Sequence, residues 1–127
     1  EIGDNVQIND YVHFSCAESL IIGDNVLIAS KVYITDLNHG NYSGKDQSNP
    51  QEIVKGRKIY TKPVKIENNV WIGENVSIFS GVEIGENAIL GANSVVTKNV
   101  PKNSIVAGNP AKVIKVYNKN TGEWEKV

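Results

Sequence analysis

The sequence predicts an all-β fold of short strands stacked in three-sided coils, and three observations carry that prediction. Aliphatic side chains recur at every sixth position through the second half of the chain: Ile66, Ile72, Ile78, Ile84, Leu90 and Val96. The position four residues beyond each of these is again small or branched: Val70, Val76, Val82, Ala88, Ser94 and Val100. Gly-Asp-Asn or Gly-Glu-Asn recurs at the junctions, at 23–25, 73–75 and 85–87.

A period of six fits neither the 3.6-residue helix nor simple strand alternation, but it fits a short strand followed by a tight turn. Three such units close one triangular coil. Each unit then contributes one large and one small inward side chain to a narrow core that no coil could form alone. The glycine, aspartate and asparagine at the junctions are residue types that tolerate positive φ and tight turning. The first half obeys the same rule through Ile2, Ile8, Phe14, Ile22, Ile28 and Ile34, with two extra residues between Phe14 and Ile22. That insertion predicts a bulge or loop at 16–20.

The register breaks over about 39–63, where Gly, Ser, Asn, Asp and Lys run without hexapeptide phase. An excursion of this length from a compact domain is of the kind that carries function. Phase is lost again after Val100, so 101–127 reads as a coil end and a C-terminal arm anchored by Trp124. The whole of 1–127 is expected to be one domain.

Composition narrows the function classes. Apolar residues make up 40% of the chain and charged residues 21%, which describes a soluble β-rich protein and argues against disorder. A formal net charge of −1 implies no general attraction to nucleic acid or anionic lipid, so bound phosphate must be met by locally placed cations. Cys16 is the only cysteine, and no apolar run approaches a membrane span; a cytoplasmic location is expected. The chain opens at Glu1 inside a repeat, with no initiator Met and no secretory signal, so a preceding segment is expected in the natural protein.

Three stretches in a fixed order carry a resemblance: IGDNVLIASKVYITDLNHG, then after the loop VKIENNVWIGENVSIFSGVEIGENAILGANSVVTKNVP, then AGNPAKVIK. Together they resemble the hexapeptide-repeat acyltransferases over essentially the whole chain, in particular the galactoside and maltose acetyltransferases and the polysaccharide-modifying O-acetyltransferases. The resemblance implies a left-handed parallel β-helix, assembled as a homotrimer with active sites in the grooves between subunits. It implies acetyl-CoA-dependent transfer to a saccharide hydroxyl, in surface or capsular polysaccharide biosynthesis. A prism filled with aliphatics has no deep cavity of its own, so a cleft for coenzyme A and an acceptor must lie between prisms or under a loop.

In that family the catalytic base is a histidine just after an aliphatic hexapeptide, at the start of the long loop, and His39 in TDLNHGN holds this place. A sugar hydroxyl is a poor nucleophile at neutral pH, and an imidazole can both accept its proton and return one to the departing thiolate, a gain of about 10²- to 10⁴-fold. By the same resemblance, Trp71, Gly73 and Ala92 lie along the pantetheine arm, Thr97 and Lys98 approach the adenosine end, and Lys112 or Lys115 meets its phosphates. Asn9 falls where an amide bonds a substrate hydroxyl. His13, the other histidine, occupies an outward hexapeptide position and is a candidate for the acceptor wall.

Two departures from the family pattern bear on specificity. Ala17 stands where galactoside acetyltransferases have Asp, which removes a sugar contact and argues against a small galactoside acceptor. Glu74 stands where they have Ser, leaving oxyanion stabilisation to a backbone N–H. The helical N-terminal region of the sugar acetyltransferases has no counterpart here.

Competing readings are weaker on chemistry. A zinc enzyme on this fold needs three imidazoles, whereas the chain has two histidines and Cys16 is not in ligand spacing with them, so no metal is expected. A non-catalytic scaffold would have no reason to combine a His-bearing loop, the WIG segment and a basic AGNPAK turn. Transfer to an amine, on an amino sugar or nucleotide sugar, stays open as the alternative. The lone thiol of Cys16 reads as a small packed residue, so direct transfer in a ternary complex is expected, without an acyl-enzyme.

Overall fold

A computed structural model describes residues 1–127, and apart from one 3-10 turn at Val54–Gly56 the chain is all-β. Strands of mostly two or three residues stand where the six-residue period puts them and pair in parallel in three sheets. We name each sheet by one member. The Trp71 sheet aligns Gln7, Leu27, Trp71, Ile89 and Ile105; the His13 sheet aligns His13, Tyr33, Ser77 and Val95; the Ile84 sheet aligns Ile22, Ile66 and Ile84. The chain visits the Trp71, His13 and Ile84 sheets in rotation, then returns to the first sheet one strand further along.

The inward side chains form three rows: Ile22, Ile66 and Ile84; Ile28, Ile72, Leu90 and Val106; Ile34, Ile78 and Val96, all buried. Full burial of one such side chain stabilises by about 1.5–3 kcal/mol. That gain depends on a coil on either side. Ile2 and Ile8 hold the same phase in the first coil yet are 50% and 42% exposed, against 1% and 0% for Ile22 and Ile28 beneath them. Stability therefore comes from stacking.

The junction triplets divide their work. It is the asparagine that takes the left-handed conformation, with φ of 58° at Asn25, 58° at Asn75 and 64° at Asn87. The glycine two residues earlier has a different reason. A Cβ on Gly73 would lie 2.7 Å from the Leu90 carbonyl oxygen and 2.8 Å from the Ala92 nitrogen, so the next coil leaves no room for a side chain. The asparagine amides also stack: Asn69 Nδ2 donates to Asn87 and Asn87 Nδ2 to Asn103, each at 2.8 Å, and Asn75 Nδ2 donates to Asn93 at 2.9 Å.

All departures from the period fall on one edge of the prism, where the chain passes from the His13 sheet to the Ile84 sheet. The steps at this edge run Phe14 to Ile22, Ile34 to Ile66, Ile78 to Ile84 and Val96 to Val100, and only the third keeps the six-residue spacing. Every step at the other two edges is regular. Beyond Val100 the last strands continue the Trp71 sheet: Ser104–Gly108 joins in parallel, then Ala111–Asn118 and Glu123–Lys126 add antiparallel strands. Trp124 packs on Tyr117 across that ribbon, with ring centroids 5.5 Å apart.

Candidate functional site

The irregular edge gathers the groups that can do chemistry. The two-residue insertion turns the chain outward at 16–19, and a turned-out segment needs partners for its backbone N–H groups. Asp36 supplies them. Its buried carboxylate accepts from Ala17 N at 2.8 Å on one oxygen, and from Glu18 N at 2.7 Å and Ser19 N at 2.8 Å on the other. Burial pushes this carboxyl up, but the donations from Ala17, Glu18 and Ser19 together with its own N–H outweigh it and hold it below the ordinary carboxylate range.

Immediately after Asp36 the chain leaves the prism as an antiparallel hairpin, Leu37–His39 paired with Ile59–Thr61. The long excursion thus begins and ends in paired strands. Its interior is braced by Arg57, whose guanidinium donates to the Pro50 and Glu52 carbonyls and, at 2.8 Å, to the Tyr42 hydroxyl. That hydroxyl in turn donates to the His39 carbonyl. His39 is exposed, and its imidazole makes no hydrogen bond within the chain, so it is fixed by its backbone and free at its ring.

Strand alternation sets His39 on the same side of the hairpin as Leu37, Ile59 and Thr61. Thr61 Oγ1 donates to Glu18 at 2.6 Å, which ties this side to the 16–19 corner. A cavity of about 290 Å³ opens at that corner, lined by Phe14, Cys16, Ala17, Glu18 and Ser19 among others. Asn38 and Tyr60, on the opposite side of the hairpin, line a separate polar cleft of about 280 Å³. Cys16 is exposed rather than packed as the sequence predicts, because the insertion turns this corner outward; partial desolvation and then the charge of Asp36 still push its thiol up, so it is protonated at neutral pH.

The remaining sequence candidates fall into groups on different faces. Thr97 and Lys98 are exposed on the same edge as the His39 hairpin. His13 projects from the neighbouring sheet, its ring 5.3 Å from that of Tyr33, and Asn9 lies at the junction before it, accepting from Gln7 Nε2 at 3.0 Å. Gly73 and Ala92 sit at the same junction further down. The Gly73 N–H donates to the Leu90 carbonyl at 2.8 Å, so this amide is spent on the sheet. Trp71 stands outward on its sheet, 51% exposed, in a row that continues through Ile89 and Ile105 to Lys115, while Lys112 faces Ala107. The chain therefore brings His39, Thr97 and Lys98 to one edge and Trp71 and Lys115 to one row, and does not bring the two groups together.

Sequence reasoning missed Asp36 and the Glu18–Thr61 contact. The signal available for the first was the insertion itself, whose unpaired N–H groups required an acceptor. No group of three or more His, Cys, Asp and Glu side chains could hold a metal ion, and no helix is long and apolar enough to cross a membrane.

Comparison with known proteins agrees with this architecture. The bacterial transferase hexapeptide (six repeats) family matches residues 63–98. WbbJ of Escherichia coli K12, assigned as a lipopolysaccharide biosynthesis O-acetyl transferase, is 49% identical over 124 residues, 97% of this chain. The match covers 63% of WbbJ, so the chain spans less than two thirds of that relative's length. The hexapeptide-repeat-containing acetyltransferase VCA0836 of Vibrio cholerae, solved with acetyl-CoA, superposes with a TM-score of 0.81 at 34% identity over 93% of this chain and 60% of that one. A galactoside acetyltransferase solved with coenzyme A superposes with a TM-score of 0.74 at 32% identity over 99% of this chain and 71% of that one. With the hexapeptide period in all three sheets and this likeness along its length, the chain belongs to the hexapeptide-repeat acyltransferase family.

Proposed function

We propose that this chain is one domain, a left-handed parallel β-helix, that works as a cytoplasmic homotrimer and transfers the acetyl group of acetyl-CoA to a saccharide hydroxyl in surface or capsular polysaccharide biosynthesis. The observation that carries this reading is His39: an unengaged imidazole on a braced hairpin, at the one edge where the repeat is broken, in a chain that follows a coenzyme-A-bound galactoside acetyltransferase along 99% of its length. The naming of WbbJ for lipopolysaccharide biosynthesis favours a hydroxyl acceptor over an amine.

The acceptor lies between the 16–19 corner, Asn9 and His13. A ring nitrogen of His39 takes the proton of the attacking hydroxyl as its oxygen bonds to the thioester carbonyl carbon. The tetrahedral intermediate collapses with cleavage of the C–S bond, and the imidazolium returns the proton to the coenzyme A thiolate. Acetyl-CoA is met by Trp71, Gly73 and Ala92 along its arm and by Thr97, Lys98 and Lys115 at its nucleotide end. These residues occupy two faces of one prism, and a trimer explains the separation, because the row of one subunit can face the edge of the next. A protonated Cys16 beside Asp36 supports direct transfer without an acyl-enzyme.

The test is thiol release from acetyl-CoA against a panel of mono- and oligosaccharides and nucleotide sugars, with wild type and His39→Ala. Acceptor-dependent release should fall by about 10²-fold or more in the variant while acetyl-CoA affinity is kept. Unchanged turnover in the variant would refute His39 as the base.

A further inference from the structure

The row that holds Trp71 does not end at Lys115. In the antiparallel ribbon, Lys115 stands directly opposite Lys126, so the outward row reads Leu27, Trp71, Ile89, Ile105, Lys115, Lys126. Like charges opposite each other on one face of a strand pair are destabilising. Nothing in the chain neutralises these two: its one salt bridge joins Lys65 to Glu67. The ribbon's glutamates cannot help, because Glu123 and Glu125 alternate to the other face, where Glu125 accepts from Asn118 at 2.9 Å. A face with two opposed lysines and its carboxylates turned away is built for an anion.

We infer that Lys115 and Lys126 form a paired-lysine site for the phosphates at the nucleotide end of coenzyme A, with Lys126 taking the ribose 3′-phosphate. This rests on the acetyl-CoA reading above. Adjacent strands lie about 4.8 Å apart, which puts Lys115 about 14 Å and Lys126 about 19 Å along the row from Trp71. The intervening Ile89 and Ile105 offer a half-buried apolar track to the pantetheine arm. The pyrophosphate then falls at the nearer lysine and the 3′-phosphate at the farther one.

The next cross-strand pair on the same face is Tyr117 with Trp124, each 37% exposed. They border a cleft of about 300 Å³ whose other walls are Asn87, Asn103 and Lys119. Asn103 ends the amide ladder, and its NH₂ donates to nothing in the chain. A flat ring with hydrogen-bond acceptors at its margin suits this cleft, so the adenine lies against Trp124.

Calorimetric titration with coenzyme A and with dephospho-coenzyme A, on wild type, Lys126→Ala and Trp124→Ala, tests the assignment. Wild type should bind coenzyme A about tenfold more tightly than the dephospho form, the worth of one charge-assisted contact, and Lys126→Ala should bring that ratio close to one. Trp124→Ala should weaken both ligands alike, since both carry the base. The ligand-free melting temperature of Lys126→Ala should equal or exceed that of wild type, because a like-charge pair has been relieved; a merely structural lysine would lower it. Wild-type affinity for coenzyme A in Lys126→Ala, or equal losses for both ligands, would overturn the site while leaving the acetyl-CoA reading intact. Failure of wild type to bind either ligand would overturn that reading as well.

Discussion

Replacing Asp36 by Asn keeps the size of the side chain and removes its charge, and the structure sets the cost. The carboxylate accepts one N–H on Oδ1, from Ala17, and two on Oδ2, from Glu18 and Ser19. An amide has one acceptor oxygen. Turned to keep Glu18 and Ser19, it sets its NH₂ against the Ala17 N–H, losing one bond and leaving the other two without charge assistance. An unmet donor costs about 1–3 kcal/mol and a neutral bond is about half as strong as a charged one. Ala17 and Glu18 are exposed, so water recovers part of the loss, and the net destabilisation is about 2–3 kcal/mol. Urea unfolding followed by circular dichroism, at fixed protein concentration, measures it. The pH dependence has a definite sign: because the folded carboxyl lies below its ordinary value, its contribution is full above about pH 4 and is lost as pH falls further, through the folded pKa. Wild type and Asp36→Asn should therefore differ by a constant amount near neutrality and converge in acid. The corner also touches the His39 hairpin through Glu18 and Thr61, so the acceptor KM should rise while that for acetyl-CoA stays put. A stability change under about 0.5 kcal/mol at pH 7 would refute the account of how this corner is held.

Other positions test other parts of the molecule. Ile72→Ala, fully buried in the central row, should cost about 2–5 kcal/mol in the same unfolding assay. Asn87→Ala keeps a β-carbon at φ of 64° but loses the polar side chain that eases this conformation, and it breaks the amide ladder on both sides, so it should cost about 1–2 kcal/mol and more than Asn87→Gly; the reverse order would discount the left-handed turn. Cys16 is exposed, but its thiol is pushed up by partial desolvation and by Asp36, so it should react with iodoacetamide at pH 7 more slowly than free cysteine, and Cys16→Ser should leave acetyl transfer unchanged. Fast labelling, or loss of transfer in the serine variant, would reopen the acyl-enzyme route.

How much of this was legible in the sequence follows from where each constraint acts. The rows of Ile, Val and Leu could be read directly, since each inward position is set by its own residue and by the period that repeats it. The corners were half legible. The Gly-Glu-Asn triplet announces a turn, but only the coil packed below Gly73 shows that its glycine is there for clearance and its asparagine for positive φ. The hairpin at Leu37–His39 and Ile59–Thr61 was hidden because its two strands lie far apart in sequence, each too short for alternation to register. Lys126 was hidden for the same reason: nothing in KNTGEWEKV says that it will stand opposite Lys115 until the ribbon fixes the register.

The placement of irregularity says more than its presence. Two edges of the prism keep the six-residue step throughout, and on those the packing of coil on coil fixes the inward side chains and the clearance at the turns. An inward side chain there cannot be changed without opening the core, and Gly73 cannot be enlarged without a clash. The third edge, released from the step by an insertion, an excursion and a deletion, is where backbone can leave the stack, and each departure needs its own support: Asp36 for the insertion, Arg57 and Tyr42 for the excursion. The exposed imidazole of His39 stands on the best-braced of these departures. If His39 is the base, as proposed above, a fold with an interior too narrow for a substrate carries its reactive group on the outside, and the rigidity that an interior would have provided comes from a buried carboxylate and a guanidinium fork instead.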